Sequence, residues 1–311
     1  MPSRREKENV KSDTLVRPLF DGPLDIVGDV HGEIDLLRSL IDELGYDEHG
    51  RHGDGRRLVF VGDLVDRGPD SPAVVRLVER LVGQRLAQCV LGNHDLNLLL
   101  GHEKYENGWL VADGSRAGDE VLADSPTREF VLDFFRSLPL ALERSDLRVV
   151  HAFWDDASIE LVRRAGDARI LYEKHRSRID EELAGREPLD QTDRDLVHQN
   201  ENPVKLITSG PEKRARTSVS RGGIDRWEVR VKWWESVADT PLCVFGHYSK
   251  PAEEAHDFGG AFCVDYGAGQ RSRERVEVGT AGPFTRSRLA ALRMPERLVV
   301  FDDGDTLPEC G

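Results

Sequence analysis

The chain has 311 residues, 39% of them hydrophobic and 32% charged, which is enough apolar material for a packed globular core and excludes the disordered and fibrous classes. Its formal net charge of −14 at pH 7 disfavours sequence-independent binding to nucleic acid or to an anionic membrane surface. No apolar run approaches a membrane span, and residues 1–9 are charged and lack the apolar segment of a signal peptide, so a cytoplasmic location is expected.

Residues 1–20 read as a flexible charged tail, with the ordered chain beginning at Pro23. Residues 24–27 form a short strand closed by Gly28, after which Ile34, Leu37, Ile41 and Leu44 recur at helical spacing until Gly45. Residues 58–61 repeat the strand, followed by a polar loop and a helix over 71–82 with Pro72 in its first turn. Further strands are expected at 89–91, 147–150 and 242–245, and an antiparallel pair at 289–293 and 297–301 around Pro295. Cys89, Cys243 and Cys263 sit inside apolar runs as small core residues, and with Cys310 they form no C-x-x-C pair, so neither a disulfide framework nor a zinc finger is predicted. Two stretches break the rhythm. Residues 101–127 are polar and glycine-rich around Trp109-Leu110, and residues 165–238 are highly charged with no strand pattern, so both read as lid insertions in a single domain spanning 21–305. Strand–loop–helix alternation predicts an α/β fold with its ligand site at the carboxyl ends of the strands.

Five strand ends carry the chemistry. In Gly28-Asp29-Val30-His31-Gly32, residues two apart project to one side of an extended chain, so Asp29 and His31 can reach one metal ion. Gly62-Asp63-Leu64-Val65-Asp66-Arg67-Gly68 puts two acids and an arginine in one tight loop. Its plain reading is an Arg67–Asp66 pair, and its functional reading is a bridging carboxylate, Asp63, with Arg67 gripping a phosphate through bidentate contacts. Gly92-Asn93-His94-Asp95 offers an amide oxygen as a hard ligand and, pointing away from it, a histidine placed for acid catalysis, or else a turn rich in local hydrogen bonds. His151 and His247 each follow a strand, a position where a lone histidine is more often structural. Together these clusters offer carboxylates, an amide oxygen and imidazoles, a set suited to manganese, iron, zinc, nickel or cobalt and too rich in nitrogen for magnesium or calcium alone.

This series, with His151-Ala152 and Gly246-His247, resembles the calcineurin-like metallophosphoesterases, and within them the phosphoprotein-phosphatase group marked by the Gly-Asp-x-Val-Asp-Arg-Gly loop. Leu44-Gly45-Tyr46, Val264-Asp265-Tyr266-Gly267 and residues 289–296 are similar to bacterial bis(5'-nucleosyl)-tetraphosphatases and to the phosphatase module of polynucleotide kinase-phosphatases. The resemblance implies an αββα sandwich of two mixed sheets flanked by helices. It implies two divalent metal ions, manganese first, with Asp29, His31 and His247 on one, Asn93 and His151 on the other, and Asp63 between them. It also implies His94 as general acid oriented by Asp66, Arg67 and Asn93 facing the substrate phosphate, and Asp265 supporting the ligands from behind. Three positions depart from the family pattern: Phe153-Trp154 after His151-Ala152, Tyr248 after His247, and Asp95 in place of glutamate.

The implied activity is phosphoester hydrolysis by metal-activated hydroxide on a phosphorylated substrate, a phosphoprotein or a nucleotide. A bacterial serine/threonine-type protein phosphatase is the first expectation, with a diadenosine tetraphosphate hydrolase or a nucleic-acid end phosphatase as alternatives. A non-enzymatic scaffold is disfavoured because no ligand position is lost. Lys213 and Arg214, in a basic run with Arg216, Arg221, Arg226 and Arg230, are candidate substrate contacts, though a solvated charged face explains them as well. Trp227, Trp233 and Trp234 could stack on a base or pack the lid.

Overall fold

A computed structural model describes residues 14–307 except 103, 111–119, 186–188, 222–223, 238–240, 280–281 and 283. In chain order its elements are β1 (Val16–Pro18), β2 (Leu24–Val27), α1 (Ile34–Glu43), β3 (Arg57–Phe60), α2 (Ser71–Gly83), β4 (Ala87–Cys89), α3 (Asn93–Leu99), α4 (Ser125–Arg136), β5 (Ala141–Glu143), β6 (Leu147–Val150) and α5 (Asp156–Val162). They continue with α6 (Ala168–Ala184), α7 (Gln191–Glu201), α8 (Pro203–Ser209), β7 (Glu212–Arg221), β8 (Ile224–Arg230), β9 (Leu242–Phe245), β10 (Ala261–Cys263), α9 (Arg271–Val278), β11 (Ala290–Met294), β12 (Leu298–Phe301) and β13 (Thr306–Leu307).

Two mixed sheets lie face to face. One runs β1-β5-β6-β9-β10 and the other β13-β12-β11-β2-β3-β4. Strand periodicity explains the layers. In β3, Val59 joins Leu24, Ile26, Val149 and Val244 in the core between the sheets, while Leu58 and Phe60 face the opposite way into the core under the helices. Burial of both faces is why these strands read as unbroken apolar runs. Helix α1 covers its sheet with Ile34, Leu37 and Leu40. Helix α2 is capped by the Asp70 side chain, which accepts the Ala73 N–H, and buries Val74, Val75, Val78 and Leu81. No helix among the described residues is long and apolar enough to cross a membrane.

The structure revises several expectations. Order begins before Pro23: Val16–Pro18 pairs in parallel with Ala141–Glu143, and Leu15 and Val16 are buried. Three residues are too few to show a periodic pattern, which hid β1, β5 and β10 alike. Residues 1–13, the rest of the expected tail, lie outside the described residues. The third strand sits two residues earlier than its apolar run, at Ala87–Cys89, although Val90 and Leu91 are buried beyond it. Residues 165–238 do contain strands. After α6, α7 and α8, β7 and β8 form a hairpin whose charged residues give no apolar alternation.

One ionic network fixes the edge of the β2 layer. Asp25 in β2 has 0% exposure and accepts from Arg56 Nε (3.2 Å), Arg293 Nε (2.9 Å) and the Tyr46 hydroxyl (2.8 Å). Arg56 in turn holds the Met294 carbonyl and Glu296. Removing one partner of a buried ionic cluster leaves an uncompensated charge, at a cost of about 3–5 kcal/mol. Asp25→Ala is therefore expected to lower unfolding stability by that amount in denaturant titration, and a loss under about 1 kcal/mol would contradict the role given to the network.

Candidate metal centre

The strand ends bring their polar residues together through unusual backbone. Of the seven non-glycine residues with positive φ among the described residues, five are His31, Asp63, Asp66, Arg67 and His247. This left-handed region is costly for a side chain and persists only where surrounding bonds enforce it. At Asp63 the enforcing group is Asp95, whose buried carboxylate accepts the N–H groups of Asp63 (2.9 Å), Leu64 (3.1 Å) and Gly92 (3.0 Å). Gly92 must lack a side chain, since a Cβ would meet Asp63 N and Oδ1 at 2.2 Å, and a Cβ on Gly246 would meet Asp29 Oδ1 at 2.0 Å.

Asp63 lies at the centre. Its Oδ1 accepts the His94 N–H at 2.9 Å, and its Oδ2 faces His151 Nε2 at 3.3 Å and His31 Nε2 at 3.6 Å. Asn93 Oδ1 is 3.0 Å from His151 Nε2 and 2.7 Å from His247 Nδ1. Asp29 accepts the His247 N–H with both oxygens, at 3.2 and 3.0 Å, and its Oδ2 lies 4.0 Å from His31 Nε2. Ligand atoms of Asp63, His151 and His247 fall within 4.8 Å of one another, as do those of His31, Asp63 and His94. The His247 ring thus sits with Asn93 and His151, not with Asp29 and His31 as expected from the sequence. Only its main chain reaches Asp29, because positive φ at His247 turns the ring across the cleft. Asp265, just past β10, is buried and accepts the Gly267 N–H at 2.9 Å.

Proton bookkeeping shows that this cluster fits cations. The Val61 carbonyl takes the Nδ1 proton of His151 at 2.7 Å, and the Val65 carbonyl takes that of His31 at 3.0 Å. As neutral rings both present Nε2 lone pairs to the oxygens around Asp63, and converging lone pairs repel unless a proton or cation lies among them. Burial opposes charge on His151, yet Asp63 and Asp29 push its pKa up to about 10. Burial, reinforced by Asp265, raises the Asp29 carboxyl well above the usual range. Burial also opposes charge on Asp63, but His151, His94 and His31 hold it well below that range. Burial, with Arg67 nearby, keeps His31 neutral, and burial with Arg230 does the same for His247. Divalent ions would satisfy the same lone pairs and carboxylates without those protons.

Beside this cluster stands a second arrangement. His94 Nδ1–H donates to Asp66 Oδ2 at 2.6 Å, and Asp66 is held by Trp109 Nε1 (2.7 Å) and by its own N–H to Ser71 Oγ (2.9 Å). Arg67 spans the site, with Nη1 3.1 Å from His31 Nε2, Nη2 3.0 Å from His94 Nε2 and Nε donating to Glu106 at 3.0 Å. Glu106 has no spacing signal in the sequence, and Trp109 stood out there only as an aromatic spot. Lys213 is exposed on β7, and Arg214 pairs with Asp190 and Asp193 on and beside α7. The residue of the basic run that contacts the cluster is Arg230, whose Nη1 donates to the His247 carbonyl at 2.9 Å. The Arg221 side chain lies outside the described residues. Trp227 is exposed, whereas Trp233 and Trp234 pack on Phe245 behind the site, and Trp233 Nε1 donates to the Ala152 carbonyl at 2.9 Å.

A two-sheet sandwich with such a cluster at its strand ends is a metallophosphoesterase fold. Residues 22–268 match the calcineurin-like phosphoesterase family, and the chain belongs to it. It is similar to the asymmetrical bis(5'-nucleosyl)-tetraphosphatase PrpE of Halalkalibacterium halodurans, with 57% identity over 74 residues, 22% of this chain and 30% of the relative. It is also similar to the symmetrical bis(5'-nucleosyl)-tetraphosphatase of Janthinobacterium sp., with 39% identity over 126 residues, 40% of this chain and 42% of the relative. The chain therefore spans less than half the length of these curated relatives. Among solved structures, a cold-active protein-tyrosine phosphatase of a Shewanella species shares the fold at a TM-score of 0.55 and 16% identity, over 94% of this chain and 81% of that one. A protein serine/threonine phosphatase from Saccharomyces cerevisiae does so at 0.50 and 13%, over 96% and 84%.

Equilibrium dialysis of the full chain against manganese is expected to show two bound ions per chain. Asp63→Asn is expected to weaken both, since its carboxylate faces both groups of ligand atoms, and retention of two tightly held ions in that variant would contradict the shared role.

Proposed function

We propose that the chain hydrolyses phosphate esters and anhydrides with two divalent cations, and that its substrates are dinucleoside polyphosphates. The observation that carries the reaction is the placement of Arg67 and His94 side by side over Asp63. When bound, the cations supply Lewis-acid polarisation of the phosphoryl oxygens and activation of water. The ligand set suits manganese, which the same donors accept alongside iron, zinc, nickel or cobalt. Three free, buried cysteines, Cys89, Cys243 and Cys263, suit a reducing compartment, and we place the protein in the cytoplasm.

The remaining chemistry belongs to the chain. A guanidinium only donates, so at rest Arg67 bonds the lone pairs of His31 Nε2 and His94 Nε2. On a substrate phosphate the same fork meets equatorial oxygens and neutralises their charge. His94 then loses its cationic neighbour. Burial opposes protonation of His94, but Asp63 and Asp66 outweigh it and raise its pKa, so the ring can carry a second proton on Nε2 toward the leaving oxygen. Asp66, fixed by Trp109 and Ser71, keeps the ring oriented for that transfer.

Support for the nucleotide substrate comes from the relatives named as tetraphosphatases, whose likeness is local but high. The serine/threonine phosphatase reading rests on the Gly62–Gly68 loop motif and on a fold likeness at 13% identity. A panel of diadenosine tetraphosphate, phosphoserine and phosphothreonine peptides, and nucleotide 2',3'-phosphates on manganese-loaded enzyme tests the assignment. The largest kcat/KM is expected for diadenosine tetraphosphate, and a larger value for the peptides would overturn the substrate class.

His94→Ala is expected to leave metal content intact and to slow an alkyl phosphate by about 10²–10⁴-fold, with a smaller loss on p-nitrophenyl phosphate, whose leaving group needs no proton. Equal losses on both would remove His94 from the acid role.

A further inference from the structure

The helices between β6 and β9 enclose a second cleft of about 590 Å³, built from α6, α7, α8 and the turn at His102, with no residue of the metal centre on its walls. Its charge runs against that of the protein. The Lys205 side chain on α8, half-buried, makes no direct hydrogen bond or ion pair among the described residues, with Glu212 and Asp195 as its more distant counter-charges, and the Arg194 side chain on α7 makes none either. The two acids of the walls have partners already, although Asp195 keeps its charge. Asp180 pairs with His198 at 3.1 Å, and Asp195 accepts from the Gln191 amide at 2.9 Å. A third cation, Arg176, stands on α6 with Glu173 at 3.3 Å and Asp180 at 4.0 Å. Arg176, Arg194 and Lys205 against Asp180 and Asp195 leave the walls with a surplus of positive charge, and a partly desolvated ammonium with no direct ion pair favours an added anion. Burial, with Lys104 and Arg176, lowers the pKa of His102, which agrees with a locally positive field. Tyr172 and His102 meet edge to face with centroids 6.3 Å apart and give the cleft an aromatic side.

Two walls lead directly to the metal centre. Helix α3 begins at Asn93-His94 and, after seven residues or about 10 Å, hands over to His102, whose N–H bonds the Asn97 carbonyl at 2.9 Å. Helix α8 carries Lys205 and, two residues on, Ile207, whose carbonyl accepts the N–H groups of Ala152 (3.0 Å) and Phe153 (3.2 Å) just after His151. The Asn202 side chain caps α8 and also donates to the Tyr172 carbonyl at 3.0 Å, so the cleft walls are tied to one another.

We propose that this cleft binds a phosphate-bearing anion, free polyphosphate or a nucleotide, as a site separate from the reacting phosphoryl group. The test uses the full chain in excess chelator, which removes the contribution of the metal centre, with pyrophosphate and adenosine 5'-diphosphate each titrated by calorimetry. One equivalent of each is expected to bind. Lys205→Gln and Arg194→Gln should each weaken binding by about tenfold, the loss of one charge-assisted hydrogen bond, while Arg67→Ala leaves it unchanged. Equal affinities assign the cleft to the phosphates alone, and tighter diphosphate nucleotide binding adds the base on the Tyr172 side. Thermal unfolding of each variant controls for misfolding, and Arg194, exposed on α7, provides the variant least tied to the core. No binding at millimolar concentration, or loss on Arg67→Ala with none on the cleft variants, would overturn the proposal. Because no turnover is measured, the result is independent of the substrate assigned above.

Discussion

The centre of this molecule depends on carboxylates and carbonyls that hold groups belonging to the opposite sheet. Asp29, at the end of β2 in the six-stranded sheet, takes the main-chain N–H of His247, which follows β9 in the five-stranded sheet. In return the Val61 carbonyl, just after β3, takes the Nδ1 proton of His151, which follows β6. Hydrophobic contact presses the two sheets together without fixing their relative slide. These directional bonds fix it, and they do so at the edge where the cations would sit. Each also assigns a proton, so the clasp that aligns the sheets decides which ring nitrogens face the cleft as lone pairs.

Such precision has a conformational cost. Residues in the left-handed region cost about 1–3 kcal/mol each, and five are gathered here. What sustains them is placed close by: the Asp95 carboxylate on three N–H groups of two loops, and buried β-strands on either side. The Asp25 cluster with Arg56, Arg293 and Tyr46 does similar work at the other end of β2, so the strand that delivers Asp29 is anchored at both ends.

The residues that the structure gathers into the cluster were legible because each follows a strand that announces itself by an apolar run, closed by glycine at Gly28, Gly62, Gly92 and Gly246. The αββα arrangement of two mixed sheets was likewise implied by that series of motifs and is what the structure shows. What escaped was whatever depends on direction. No spacing rule says that positive φ turns the His247 ring toward Asn93 and away from His31. Glu106 reaches Arg67 from a polar stretch with no pattern, and the β7–β8 hairpin is stabilised by pairing between charged strands that lack an apolar face. Trp233 and Trp234 were ambiguous because a tryptophan beside a site reads the same whether it meets a base or Phe245.

The bond from Trp109 to Asp66 has an evolutionary corollary. Trp109 lies in a polar, glycine-rich connection outside the sheets, the kind of segment that drifts, lengthens and is exchanged most freely among related chains. Here that segment also steadies the acid behind His94 and, through Glu106, one edge of Arg67. The loop and the placement of His94 and Arg67 are consequently inherited as one unit. A loop transplanted from a cousin would carry its own tuning of the acid with it, and a lineage that remodelled the loop for a new substrate would have to rebuild the grip on Asp66 at the same time.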